Sequence, residues 1–539
     1  MNQNLIISKG TVWLFLFLSI AAYGQQSEYT NVPQYKRPSR DAIADIARGQ
    51  YNKAIEFYTG YLEDYPDDLE SLFGLAVTYS AMHDAKRSLM YARRAIRHGL
   101  PAERFVAGPR DLLRNLVYSK GFVKILNEGN YSLLHGPMLG AITSNQARIW
   151  VRTGRPARVE VRVRDAENSW KKTFTDNSLP ESDYTAVVQL DGLNPETKYN
   201  YTVLIDGIRY FTGGSIRTLP SGNKPLTLKI GFGGGAGYTP WYERMWDTLL
   251  THRPDAFLLL GDNVYIDHPE VPEVQEYCYY RRQSRPEFRR FVSEVPVYAI
   301  WDDHDFTIND GEGGPERDQP SWKIPVWELF KNQWNNPYYG GGEDNPGCWF
   351  DVSMGDIDFF FLDCRYYREN PQTTVEPSML GDYQKQWLKE KLKASDATFK
   401  VIASSVPWAS GTKPGSDDTW DGFPGEREEI FRFLEEQGIE GVILLAADRH
   451  RSDAWKISRP EGYILYEFMS SKLTNMHTHK IMPGSLFGYN KTCSFGMLEF
   501  DTVLEDPTIS YSVYSIDNEL IHKITIYRSQ LQITSKADE

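Results

Sequence analysis

Residues Ala256–Asp267 read AFLLLGDNVYID, an unbroken apolar run that passes straight into Gly-Asp-Asn. A short run without polar alternation describes a strand buried on both faces, the pattern of a parallel sheet covered by helices. Gly261 punctuates the run, so Asp262 stands at the carboxyl end of a buried strand, with Tyr265 three residues on. Open α/β sheets place their ligands at that end. Two further stretches repeat the design. VYAIWDDHDF ends in Asp302, Asp303, His304 and Asp305, and VILLAADRHRSD ends in Asp448 and His450. With LTLKIGFGG, IDFFFLD, FKVIASS and GYILYEFMSS they form a series of buried strands alternating with helical patterns such as LGDYQKQWLKEKLKA. That series predicts an α/β domain with sheets sandwiched between helices.

Carboxylates and imidazoles on neighbouring strand ends are the ligands of a hard or borderline cation. A single aspartate there reads equally well as a helix N-cap, and a single histidine as a hydrogen-bonded core residue. Three acidic clusters, two of them carrying histidine, outweigh three coincidental caps.

The order G-D, W-D-D-H-D, D-R-H resembles that of the PhoD-like alkaline phosphatases, within the calcineurin-like metallophosphoesterase superfamily. FLDCRYYR (Asp363, Arg365), LGDYQKQWL and DDTWDGFPGERE (Trp420, Gly422) follow in family order. The resemblance covers roughly residues 132 to 527. It implies an α-β-β-α four-layer sandwich and phosphate-ester hydrolysis, on mono- or diesters, by a metal-activated hydroxide. It further implies that Asp262 bridges two metals, with Tyr265, Asp303, Asp448 and His450 as the other ligands. The implied ions are iron (Fe3+), favoured by the tyrosinate, and calcium (Ca2+). His304 is then the general acid or charge stabiliser, Arg365 a partner for a phosphate oxygen and Asn309 an outer metal ligand.

The family pattern breaks at Lys229–Pro240, KIGFGGGAGYTP. Relatives carry an iron-binding cysteine after this strand, and the alignment puts Gly235 in its place. Nothing from Gly231 to Gly237 has a ligating side chain, although its amides remain candidates for touching substrate. Gly231, Gly233 and Ala236 also fit the loose G-x-G-x-x-A dinucleotide pattern, a weak signal by itself. Downstream, Met476-His-Thr-His479 offers an H-x-H pair. Both a replacement ligand and a pair of solvated loop histidines are open readings of it.

Outward from this domain (219–539), the preceding segment changes period. Over 131–218, ARIWVRTG, ARVEVRVRD and YTAVVQL alternate as half-buried strands. LNPETKYNYTV resembles the tyrosine-corner strand of a fibronectin III-like β-sandwich, with Tyr199 tying the turn and Trp150 as core tryptophan. Over 41–130 the pattern is α-helical and TPR-like. Ala54, Tyr58 and Pro66 are followed by Ala76, Tyr79, Ala92, Ala95 and Pro101, close to the roughly 34-residue tetratricopeptide period. About two repeats are fewer than stand alone, so the array is expected to dock on its neighbour. A spacer and a groove for a protein partner are both open.

Residues 25–40 read as a linker and 1–24 as a signal peptide: Lys9, the apolar TVWLFLFLSIAA and small residues around Gly24. The protein is accordingly expected to be exported, periplasmic or extracellular. The four cysteines, without a C-x-x-C pair, allow one or two disulfides of unreadable pairing. At 539 residues the chain holds several domains, and its net charge of −13 disfavours tracking along a nucleic-acid scaffold. The competing functional class is a decayed phosphatase fold that binds a carbohydrate, phospholipid or protein.

Overall fold

The structure is a computed structural model that describes residues 37–533 apart from 130, 168 and 460. The expected signal peptide lies outside the described residues. Among those residues no helix is long and apolar enough to cross a membrane.

Helix begins at Arg37, inside the expected linker, with Pro38 in the first turn where its missing N–H costs nothing. Helices Tyr51–Asp64, Leu69–Ala81 and Ala85–Arg97 follow; Asp68 and Asp84 cap the last two by accepting from Ser71 N (2.7 Å) and Arg87 N (2.9 Å). Gly74 is required by packing, because a Cβ there would stand 2.1 Å from the Tyr58 ring. These helices do not close a core of their own. Phe73 and Phe105 pack into one apolar cluster with Tyr277 of the region that follows residue 219. Tyr277 Oη donates to Glu70 Oε2 (2.5 Å), and the Arg104 guanidinium lies 4.2 Å from the Phe73 ring centre. The helical segment is therefore docked, as so small a helical array must be.

The next segment forms two antiparallel sheets. One contains Leu133–Gly140, Gln146–Thr153 and Thr185–Asp191; the other contains Ala157–Asp165, Lys171–Ser178, Lys198–Ile205 and Ile208–Arg217. Ile149, Val151, Val159, Val161, Val188 and Tyr199 fill the space between them. Tyr199 Oη accepts from Asn194 N at 2.8 Å, tying the turn to its strand. Trp150 departs from expectation. Its neighbours Ile149 and Val151 point into the sandwich, so the pleat turns Trp150 outward onto the region that follows residue 219, where Nε1 donates to Asn332 O (3.2 Å).

The region from residue 219 onward holds two sheets. The six-stranded sheet runs Val297–Ile300, Ala256–Leu260, Thr227–Gly233, Ser494–Asp501, Thr508–Ser515, Leu520–Tyr527; its first three strands are parallel and the rest antiparallel. The seven-stranded sheet has a parallel centre, Ile357–Phe361, Phe399–Ala403, Val442–Ala446 and Leu465–Ser470, with antiparallel edges. An isolated parallel bridge, Gly234 to Ser471, joins the strand ends of the two sheets. Every loop that carries a candidate ligand leaves the carboxyl end of one of these parallel strands. All four cysteines are buried and free, so neither of the allowed disulfides forms.

Candidate active site

Asp262 follows its strand in a left-handed conformation (φ 52°), as do Asp448 (φ 60°) and His450 (φ 47°). Each such non-glycine residue costs about 1–2 kcal/mol, and such strain concentrates at functional sites. Asp262 is buried, and its Oδ2 accepts from Tyr265 Oη at 2.8 Å. Tyr265 Oη also lies 3.0 Å from His450 Nε2 and accepts from Asn475 Nδ2 (2.5 Å). His450 Nε2 is 3.7 Å from Asp262 Oδ2. Ligand atoms of Asp262, Asp303 and His304 all lie within 4.8 Å of one another. Burial, then Asp262, pushes the Tyr265 phenol well above its ordinary range. Burial likewise raises Asp262, against the pull of His304.

The Asp-Asp-His-Asp run divides its labour. Asp302 faces Arg365 Nε (2.5 Å) and accepts from Ser405 Oγ (2.8 Å); burial pushes it up to about 7. Asp303 turns toward Asp262, its Oδ2 accepting from Asp310 N (2.5 Å). Asp305 accepts from the amides of Asn263 (3.1 Å) and Val264 (2.9 Å), which shapes the turn that presents Asp262. His304 Nδ1 faces Asp267 Oδ1 at 2.5 Å. Burial works against charge on His304, but Asp303, Asp262 and Asp267 overcome it and raise the imidazole to about 10. Asp267 in turn pairs with Arg40, from the first helix, whose Nη1 also donates to Tyr265 O (2.9 Å).

Arg365 is fully buried; its Nε faces Asp302 and its Nη1 donates to Asp418 Oδ1 (2.5 Å), so these two nitrogens brace carboxylates, while its Nη2 has no hydrogen-bond partner among the described residues. Asp418 also receives Arg368 and Lys413; against its burial, Arg365 first and then these two hold it well below the usual carboxylate range. The neighbouring cluster Asp303–Asp310–Asp418 is thus largely neutralised from within the protein. Asp448 leans on Arg449 Nη1 (3.1 Å), apart from the Asp262–Asp303–His304 group. Asn309 is exposed.

The glycine loop differs from both sequence readings of its amides. Gly234 N donates to Ser470 O (3.1 Å), Gly235 N to Gly261 O (3.3 Å) and Ala236 N to Asp262 O (2.7 Å). These three amides serve the fold and are not presented to an anion. Gly235 sits at φ 66°, and a Cβ there would meet Lys472 N at 2.9 Å and His450 Cδ2 at 3.4 Å. The position does border His450, but only glycine fits it without strain.

Sequence reasoning missed three participants. Asp267 was visible at the end of the opening stretch, and Asn475 lies two residues before the H-x-H. Arg40 carried no signal, since it falls where a linker was expected.

Residues 230–486 match the family described as PhoD-like phosphatase, and residues 130–219 match one described as a domain of unknown function (DUF7800). Alkaline phosphatase D of Bacillus subtilis (strain 168) is 25% identical over 353 residues, covering 56% of this chain and 58% of that protein. A solved structure of PhoD superposes with a TM-score of 0.61 at 17% identity, over 74% of this chain and 94% of that one. A purple acid phosphatase from yellow lupin (Lupinus luteus) seeds gives 0.55 at 13%, over 76% and 78%. At these identities the two structures speak for the fold.

Proposed function

We propose, from the match of residues 230–486 to the PhoD-like phosphatase family, that this chain hydrolyses phosphate esters at the strand-end site around Asp262, with metal ions as cofactors. One observation carries the metal requirement. Asp262 Oδ1 is buried with no hydrogen-bond partner, amid the converging ligand atoms of Asp303 and His304. An orphaned carboxylate oxygen in such a place is costly unless a cation meets it. The donor set fits: Asp262, Asp303, Tyr265 and His450 offer carboxylate, phenol and imidazole, a mixture suited to ferric iron and, on its oxygen side, to calcium. Asp448 would join after release from Arg449.

Bound cations supply Lewis-acid polarisation of the phosphoryl group and an activated nucleophile at neutral pH. The protein's own residues do the rest. Tyr265 must lose its proton to ligate, which its burial and then its contact with Asp262 make unfavourable until a cation is present. Asp267 holds His304 through Nδ1, leaving Nε2–H to protonate the leaving alkoxide as the P–O bond breaks. Arg365 keeps Asp302 and Asp418 in place and acts as a positioning residue.

The decayed-binder reading has less support, since three residues of the site keep a costly left-handed backbone. Export rests on the N-terminal sequence. The fibronectin-like and TPR-like segments read as supports for the catalytic region, the latter through Arg40. Metal-stripped protein should recover hydrolysis of p-nitrophenyl phosphate or its bis-ester when ions from a panel are restored. No turnover with any ion would refute the proposal.

A further inference from the structure

Beside this site three imidazoles meet, two of them on residues that the phosphatase reading does not use. Ligand nitrogens of His450, His477 and His479 all lie within 4.8 Å of one another. Ring centroids are 5.2 Å apart for His450 and His477, 5.5 Å for His450 and His479, and 4.6 Å for His477 and His479. His450 ends one parallel strand and the histidine pair follows the next, so the fold itself brings them together.

The loop carrying the pair is held in place. Leu473 N and Thr474 N donate to the carbonyls of Gly234 (3.1 Å) and Gly235 (3.3 Å), and Thr474 Oγ1 donates to Gly237 O (2.5 Å). Thr478, between the two histidines, donates through Oγ1 to His450 O (3.2 Å), and Asn490 Nδ2 donates to His479 O (2.9 Å). His477 N donates to Asn475 Oδ1 (3.2 Å). Those bonds fix the backbone of both histidines relative to His450, which is the preorganisation a metal site needs. His450 is buried, His479 half-buried and His477 exposed, so the cluster opens toward solvent and a cation can enter.

We propose that His450, His477 and His479 form a three-imidazole site for a borderline divalent cation of the zinc class, contiguous with the carboxylate site at the His450 ring, which releases its N–H proton to solvent and serves as a bridging imidazolate when both sites are filled. Three nitrogen donors with a solvent-facing side make the pattern of a zinc site that keeps one position open. All-nitrogen ligation selects against calcium and magnesium, which take oxygen. The adjoining glycine loop, residues 231–237, offers no ligating side chain, so imidazoles from the next loop are the donors on this flank.

The inference shares His450 with the phosphatase reading, and the test separates the two by leaving His450 intact. Full-length protein is stripped with chelator and titrated with Zn2+ alone, by calorimetry and by elemental analysis after desalting. Wild type is compared with His477→Gln/His479→Gln and with Asp262→Asn, all checked by thermal unfolding. The double variant should lose one zinc equivalent, or weaken one class of site by more than the roughly 100-fold that outer-shell partners typically carry. Asp262→Asn should keep that equivalent, and its zinc-edge absorption should show imidazole nitrogens at about 2.0 Å. Unchanged zinc binding in the folded double variant, or an oxygen-dominated zinc shell in Asp262→Asn, overturns the proposal without touching the phosphatase reading, which stands or falls on ester turnover.

Discussion

Replacing Asp267 with asparagine preserves shape and removes the charge that His304 Nδ1 faces at 2.5 Å. In metal-stripped protein the imidazole sits at about 10 rather than 6.5, because Asp303, Asp262 and Asp267 together outweigh its burial. Removing the Asp267 carboxylate, which acts on the ring both through its hydrogen bond and through its charge, should lower that value, each tenfold change in the ring's proton affinity being about 1.4 kcal/mol of preference for the charged form. A histidine raised in the folded state contributes stability that is fully present below its unfolded value of 6.5 and is lost as pH climbs through the folded value. The wild-type contribution therefore fades up to about pH 10, and in Asp267→Asn it should fade correspondingly earlier. Arg40 is only 6% exposed and loses its buried partner in the same variant. Breaking a buried pair from one side costs about 3–5 kcal/mol, so the variant should also be less stable at neutral pH. NMR titration of the His304 ring and urea unfolding at several pH values read both effects. In the metal-loaded enzyme, turnover should fall most for esters with poor leaving groups. An unchanged His304 titration in a folded Asp267→Asn protein would refute the relay from Arg40 through Asp267 to His304.

His304→Ala should depress hydrolysis of alkyl phosphate esters more than that of p-nitrophenyl esters, whose leaving group needs little protonation; equal losses would leave charge stabilisation as its role. Loading stripped protein with ferric iron should release the Tyr265 proton and give a phenolate-to-iron colour, and Tyr265→Phe should show neither by pH-stat and visible absorption. Gly235→Cys should destabilise by at least about 1–2 kcal/mol in thermal or urea unfolding, since φ 66° and the 2.9 Å approach to Lys472 N both oppose a side chain. Unaltered stability there would mean that the loop takes another path.

The strand-end clusters were legible because buried parallel strands leave an unmistakable apolar run, and polar residues at its carboxyl end stand out against it. That logic located Asp262, Asp303, His304, Asp448 and His450 on adjoining loops. It could not see which carboxylates the protein would neutralise itself. Arg365 looks like a phosphate ligand in FLDCRYYR, which gives no sign that the fold buries it between Asp302 and Asp418, residues 63 and 53 positions away. Trp150 was read into the sandwich because alternation gives the face of a strand but not which neighbour covers each face. Arg40 was illegible for a related reason, since its partner lies more than two hundred residues downstream. The H-x-H was ambiguous on the chain, and only the crossing from one parallel strand to the next brings it to His450.

The measurement that bears most directly on the central claim is paired turnover and metal content of Asp262→Ala. One carboxylate with an orphaned buried oxygen, between Tyr265 on one side and Asp303 and His304 on the other, is asked to hold the cations that make the site catalytic. The account predicts that the folded variant loses ester hydrolysis and binds less metal by elemental analysis. Near-normal turnover with wild-type metal content would contradict it.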